Sequence, residues 1–218
     1  SADRIGMPSF PEKLFVEGLK KLVAIDHSWI PTQKSSALYL RPFMYADEAC
    51  IGMRAATHYK FIIIASPAGP IYTKRIKLYA ETQFVRAVKG GTGEAKVAGN
   101  YAAAIRPTEK AKGYDQVLWL DPHEFKYIQE AGTMNIFFKI NDEFITPSLD
   151  GAILNGISRL STIELLRHKG YKVTERLISM DEISEASKNG SLQEAFGTGT
   201  AVGVAMKKSL NSYVLLLF

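Results

Sequence analysis

The sequence has little cysteine, no long apolar run and no concentrated block of charge. Its single cysteine, Cys50, excludes an internal disulfide and favours a reducing compartment. The apolar runs Phe61 to Ala65 and Tyr213 to Phe218 are far too short to cross a bilayer, and no secretory signal is visible near the amino terminus. We therefore predict a cytoplasmic protein without a membrane partner.

Positive charge is in modest excess, with 27 Lys and Arg against 22 Asp and Glu, a net charge of +5. Such a balance suits either nucleic acid or anionic small molecules. Because no run of five basic residues occurs, we predict small-molecule substrates and no nucleic-acid partner, with a basic binding protein as an alternative. The four histidines lack metal-ligand spacing, so no metal site is predicted.

Hydrophobic periodicity changes along the chain between helical and extended patterns, which predicts an α+β protein with a mixed sheet core. The predicted helices run from Ser9 and Pro11 to Asp26, from Gly99 until Pro107 ends or kinks it, from Ser158 to before Gly170, and from a cap at Asp181. The predicted strands span residues 36–43, 59–66, 76–80, 115–120, 133–140, 143–146 and 171–179.

A change in composition marks the predicted domain boundary. Ser66-Pro-Ala-Gly-Pro70 has two prolines, a glycine and no apolar period, which is typical of a linker. We predict a first domain over residues 1–65, a linker over 66–73 and a second domain over 74–218.

Two motifs carry the chemistry: Gly90 to Tyr101, GGTGEAKVAGNY, and Gln129 to Asn135, QEAGTMN. Lys96 lies in the first, among small residues, and burial there would favour the neutral amine that a nucleophile needs. The alternative is a lysine on a solvated loop. The motif is not a nucleotide-binding loop, because Ala95 precedes the lysine and Val97 follows it.

Together, from about Ser9 to about Val202, these motifs resemble the branched-chain amino acid aminotransferases, which are fold-type-IV pyridoxal phosphate enzymes. The resemblance implies a partial small α/β domain and a larger, barrel-like mixed-sheet domain with flanking helices. It also implies that the chain is truncated at its amino terminus, which removes an arginine that grips the cofactor's phosphate, and diverges after Val202. Arg86 is one candidate substitute for that arginine.

The resemblance assigns pyridoxal 5′-phosphate to named residues. Lys96 would hold the cofactor covalently, Tyr101 would hydrogen-bond its phenolic oxygen, and Glu130 would stabilise the protonated ring nitrogen. For Glu130, the alternative is an exposed glutamate at a strand end, but the apolar run Ile136-Phe-Phe138 argues for partial burial, and a buried carboxylate needs a partner.

Two loops would bind the phosphate. The first is Leu154 to Ser158, where peptide N–H groups at a helix start favour an anion; the second is Phe196 to Ala201. The predicted phosphate contacts are Gly156, Ile157, Ser158 and Thr200. The predicted substrate contacts are Tyr39, Arg41, Thr133 and the backbone of Ala201.

The activity implied by the resemblance is transamination of leucine, isoleucine and valine with 2-oxoglutarate, in a homodimer. Other fold-type-IV enzymes, such as a D-amino acid aminotransferase or an aminodeoxychorismate lyase, share Lys96 and Glu130 and remain alternatives. An inactive fragment is a further alternative.

Overall fold

The computed structural model describes residues 1–72 and 75–200, together with the backbone of residues 203–206, 210–211 and 214–217. The chain divides into two compact units, Ser1–Ile71 and Tyr72–Phe218. A strand continues to Ala68, so the first three residues of the predicted linker belong to that strand. No helix of the described residues is long and apolar enough to span a membrane.

The first unit is one helix and one hairpin. Helix α1 spans Glu12–Ile25, after Pro11 in extended conformation, as the sequence predicts. Strands β1, Ala37–Ala46, and β2, Tyr59–Ala68, pair antiparallel over their full length.

An aromatic cluster joins the helix to the hairpin. Phe61 of β2 stacks on Phe10 with ring centroids 3.8 Å apart, and Phe15 of α1 meets it edge-on at 5.7 Å. No described residue of this unit is fully buried. These ring contacts, rather than a closed core, therefore hold α1 against β2.

Glu48 organises the loop between β1 and β2. Hydrogen bonds from the Arg54 guanidinium and from the Thr57 N–H, the latter at 2.6 Å, lower the pKa of Glu48 to about 2. Because the folded pKa lies below the unfolded one, the stabilisation is present above about pH 4.3 and is lost as the pH falls through about 2. An NMR titration should give this midpoint, and Arg54→Gln should raise it; an ordinary glutamate midpoint in the wild type would show that the loop does not form.

The second unit contains the remaining elements. Its helices are α2 Ala98–Lys110, α3 Ile157–His168 and α4 Met180–Lys188. Its strands are β3 Ile76–Ala80, β4 Gln116–Leu120, β5 Ile128–Ala131, β6 Asn135–Ile140, β7 Glu143–Thr146, β8 Lys172–Glu175, β9 Leu192–Gly199, β10 Gly203–Met206, β11 Leu210–Asn211 and β12 Val214–Leu217.

These strands form two five-stranded sheets, in the orders β11-β12-β3-β4-β5 and β10-β9-β6-β7-β8. The pairs β3–β4 and β7–β8 are parallel and the other pairs are antiparallel, so the mixed-sheet α+β prediction is confirmed. Among the described strands, the two sheets share no hydrogen-bonded pair, so they are not closed into a barrel.

The core lies between the sheets and continues onto their outer faces. Ile136 and Phe138 of β6 belong to the apolar cluster that includes Leu118 of β4, while Phe137 faces the opposite way and stacks on Phe196. The other face of β4 packs through Trp119 against α2. Strands buried on both faces require nearly continuous apolar sequence, which is why β4 and β6 were readily predicted.

Three local predictions need correction. Pro107 does not end α2, which continues to Lys110, so of the two predicted outcomes only a kink remains; the proline removes one helical N–H donor in the last turn. The predicted strand over 171–179 is shorter, Lys172–Glu175. The cap of α4 is Ser179 rather than Asp181, since its hydroxyl accepts from the Glu182 N–H at 3.1 Å.

Candidate active site

A cleft in the second unit is lined by four of the predicted site residues, Lys96, Tyr101, Glu130 and Thr133. Glu130 is buried, with 4% of its surface exposed, whereas the other three are exposed. The cleft therefore offers an amine, a phenol and a hydroxyl near solvent and a carboxylate that is screened from it.

Lys96 belongs to the glycine-rich turn that leads into α2. The Asn100 side chain, in the first turn of α2, fastens this turn by donating to the carbonyl oxygens of Thr92 at 2.8 Å and Ala95 at 2.7 Å. Ala95 is buried and Lys96 is exposed, so the structure does not show the apolar burial that the small neighbouring residues would permit. Gly93 and Ala95 are buried in the interior, and Lys96 lines the cleft.

Gly93 allows this turn to pack closely. A methyl group on Gly93 would overlap the Ala152 carbonyl oxygen and the Ala87 side chain. We expect Gly93→Ala to lower the free energy of unfolding by about 1–3 kcal/mol, because both neighbours are buried and would have to shift.

Gly99→Ala is the matched control, since a methyl group there meets no atom within 4 Å and alanine favours the helix. Urea unfolding of both variants measures the difference. Equal stability of the two variants would contradict the close packing at Gly93.

Glu130 is held at both carboxylate oxygens. Oε1 accepts from the Leu154 N–H at 2.8 Å, and Oε2 lies 3.1 Å from Nη2 of Arg86. Burial raises the pKa of Glu130, and the Arg86 guanidinium is the largest influence that lowers it. The predicted burial of Glu130 with a partner is thus confirmed.

The sequence suggested Arg86 as a candidate phosphate ligand, but the structure places its guanidinium against Glu130 and Ala152. Besides Glu130, its Nη2 donates to the Ala152 carbonyl oxygen. The guanidinium is therefore committed to the carboxylate, and this contact does not favour Arg86 as a phosphate ligand.

Asn135 connects the carboxylate to the start of α3. Its Nδ2 donates to the Leu154 carbonyl oxygen at 2.9 Å and lies 3.5 Å from Glu130 Oε1. A methyl group on Gly156, the N-cap of α3, would overlap Asn135 Oδ1. A glycine at this position lets the start of α3 approach the Asn135 side chain closely.

The predicted phosphate contacts lie around this helix start and at the end of β9. Ile157 is exposed and Ser158 is half-buried in the first turn of α3, where helix geometry leaves N–H groups without intrahelical acceptors. The predicted loop Phe196 to Ala201 is wrong in its first four residues, which belong to β9. Thr200 follows in an exposed turn, and Ala201 lies outside the described residues.

The predicted substrate residues Tyr39 and Arg41 lie on β1 in the first unit. The Arg41 guanidinium carbon is 5.2 Å from the centroid of the Tyr39 ring, as expected for alternate residues on one face of a strand. Stacking on the ring restrains the arginine.

Sequence reasoning missed the roles of Arg86, Asn100 and Asn135. An asparagine just inside a helix often bonds back to the preceding turn, so Asn100 left a local signal. Arg86 and Asn135 act through contacts distant in sequence, which no spacing within one segment reveals.

Comparison with known proteins identifies the family. The family described as Amino-transferase class IV matches residues 1–209. The chain belongs to the class IV aminotransferases. Branched-chain-amino-acid aminotransferase 2 of Bacillus subtilis is 53% identical over 210 residues, covering 94% of this chain and 58% of that protein. A branched-chain-amino-acid aminotransferase of Mycobacterium tuberculosis is 43% identical, covering 92% and 57%.

Solved aminotransferase structures share the fold. The branched-chain aminotransferase of Thermoproteus uzoniensis, solved with norvaline, has a TM-score of 0.80 at 24% identity, covering 98% of this chain and 69% of that one. An aminotransferase from Brucella abortus bound to the cofactor PLP has a TM-score of 0.73 at 27% identity, covering 97% and 74%. This class IV chain spans about three fifths of the length of the curated relatives it matches.

Proposed function

We propose that this protein transfers the amino group of leucine, isoleucine or valine to 2-oxoglutarate, using pyridoxal 5′-phosphate. The observation that carries the proposal is the 53% identity to a branched-chain-amino-acid aminotransferase over 94% of the chain. The cleft supports it by bringing Lys96 and Glu130 together in one site.

The residues of the cleft fit the cofactor by their chemistry. A pyridine ring needs an anion beside its nitrogen, and Glu130 is a buried carboxylate held at both oxygens. An aldehyde needs a primary amine, and Lys96 lines the same cleft. Tyr101 would bind the phenolic oxygen, and Gly156, Ile157, Ser158 and Thr200 would bind the phosphate through N–H and hydroxyl groups.

The positions of these residues indicate what each would do in the reaction. When bound, pyridoxal phosphate supplies the electron sink that transamination requires. Lys96 Nζ would hold the cofactor and then move a proton at the substrate's alpha carbon. The Glu130 carboxylate would hold the proton of the ring nitrogen in place, and the buried Arg86 and Leu154 contacts keep that carboxylate oriented.

We propose Tyr39, Arg41, Thr133 and Ala201 as substrate contacts. The position of Thr133 in the cleft supports its assignment, and membership of the class IV aminotransferases supports the others. An apolar pocket separates side chains that differ by one methylene only modestly, so all three branched substrates should be used. We further propose a cytoplasmic homodimer.

One assay tests the function. The purified protein is incubated with pyridoxal phosphate, 2-oxoglutarate and L-leucine, and glutamate formation is followed. D-alanine replaces leucine in a parallel reaction, and pyruvate release from aminodeoxychorismate is measured in a third. We expect glutamate from leucine. Activity confined to D-alanine or to aminodeoxychorismate would contradict the proposal in favour of another fold-type-IV enzyme.

A further inference from the structure

Arg86 lies on the segment between β3 and α2, and its side chain lines the cleft beside Glu130. Its side chain is 7% exposed and that of Glu130 is 5% exposed, so the ion pair between them is screened from water. In a buried pair, each charge depends on the other, because neither can be solvated.

In this pair, the Arg86 guanidinium supplies a positive charge, and a backbone N–H group orients the Glu130 carboxylate. Glu130 Oε1 is oriented by the Leu154 N–H, while Oε2 meets the Arg86 guanidinium. Within the described residues, Arg86 Nε is buried without a hydrogen-bond partner. The ion pair of this guanidinium is with the Glu130 carboxylate, so its positive charge acts on that group.

The other charges near Glu130 do not replace Arg86. Burial raises the pKa of Glu130, and the influences that oppose burial are first Arg86, then the Leu154 N–H and then Lys96; Asp150 raises the pKa further. A raised pKa means that burial favours the protonated carboxyl, so Glu130 ionises at a higher pH than it would in water. Removing Arg86 removes the largest opposing influence, so the carboxyl would keep its proton to higher pH.

We propose that Arg86 is a positioning residue that keeps Glu130 deprotonated before any ligand enters, so that a ring-nitrogen cation meets an anion already formed. Its use in catalysis rests on the proposed function. The effect of Arg86 on the protonation of Glu130 does not depend on the proposed function, since the ion pair involves only protein groups.

The direct test is infrared spectroscopy of the cofactor-free protein. The carbonyl band of a protonated Glu130 is identified as the band that Glu130→Gln removes, and it is followed as a function of pH. Arg86→Gln is the main variant because it removes the positive charge and keeps a polar, uncharged side chain. Arg86→Lys restores the charge without the guanidinium shape.

We expect wild-type Glu130 to be ionised at neutral pH. We expect the titration midpoint to rise by about one pH unit or more in Arg86→Gln and to return towards the wild-type value in Arg86→Lys. A protonated Glu130 in the neutral wild-type protein would overturn the inference without any variant. An unchanged midpoint in Arg86→Gln, or an equal rise in Arg86→Lys, would overturn it too.

A second readout links the pair to the ligand. Pyridoxamine 5′-phosphate carries the same ring nitrogen but forms no covalent bond with lysine, and calorimetry in two buffers of different protonation enthalpy counts the protons taken up on binding. In the complex, Glu130 and the ring nitrogen would share one proton. Arg86→Gln, whose carboxyl already holds a proton, should therefore take up fewer protons than wild type, by up to about one; equal uptake would overturn the inference.

The two failures are distinguishable. Absence of pyridoxamine 5′-phosphate binding by the wild type, with the infrared shift present, would contradict the proposed function and support the role of Arg86. Binding without the infrared shift would support the proposed function and overturn the role of Arg86.

Discussion

We expect Lys96→Ala to abolish glutamate formation from leucine and 2-oxoglutarate, lowering kcat by at least about 10²–10⁴-fold, the range that a positioned proton-transfer group contributes. The loss is larger than for other cleft residues because the amine is assigned two tasks, attachment of the cofactor and proton transfer. Steady-state kinetics with saturating pyridoxal phosphate measure it, so that weakened cofactor binding does not mimic the effect.

Lys112→Ala is the matched control for this prediction. Lys112 is an exposed lysine in the turn after α2 and does not line the cleft. Its removal should leave kcat within about twofold of wild type, since exposed substitutions away from a site have small effects. Lys96→Ala with near wild-type turnover would refute the role of Lys96.

Glu130→Gln has the second largest expected effect, because it changes both stability and catalysis. The substitution leaves the Arg86 guanidinium buried without its counter-charge, which costs about 3–5 kcal/mol when one partner of a buried pair is removed. A neutral amide cannot stabilise a cation, so we also expect kcat to fall by about 10²-fold or more. Urea unfolding and steady-state kinetics measure the two effects separately.

The double variant Glu130→Gln with Arg86→Gln separates these effects. Removing both charges should recover part of the lost stability, because no unpaired charge remains, but it should recover no activity. Glu124→Gln, at an exposed glutamate after β4, serves as the control and should change neither quantity. If Glu130→Gln retained wild-type turnover, the assignment of Glu130 to the ring nitrogen would be wrong.

The sequence predicted those elements whose local pattern decides their structure. Helix α1 carries an apolar face at helical spacing after a proline, and β7 was predicted with the bounds Glu143–Thr146 that the structure has. Strands β5 and β9 were not predicted as strands. Polar residues interrupt both strands and glycines interrupt β9, and their extended form depends on pairing with β4 and β6.

The sequence predicted which residues form the candidate site better than it predicted the contacts between them. The two motifs named Lys96 and Glu130, and the apolar run after Glu130 indicated its burial. The partner of Glu130 could not be predicted, because Arg86 lies on a separate segment without periodic pattern and meets the carboxylate only when the sheet and the turn are packed. The exposure of Lys96 likewise depends on how its neighbours Gly93 and Ala95 fill the interior.

Peptide mapping after borohydride reduction tests whether Lys96 forms the covalent bond to pyridoxal phosphate. The protein is incubated with pyridoxal phosphate, reduced so that the bond between amine and cofactor becomes permanent, digested, and examined by mass spectrometry. We expect the added mass of the cofactor to lie on the peptide that contains Lys96 and to be absent from the Lys96→Ala variant. A tag on the peptide of another lysine, or no tag at all, would contradict it.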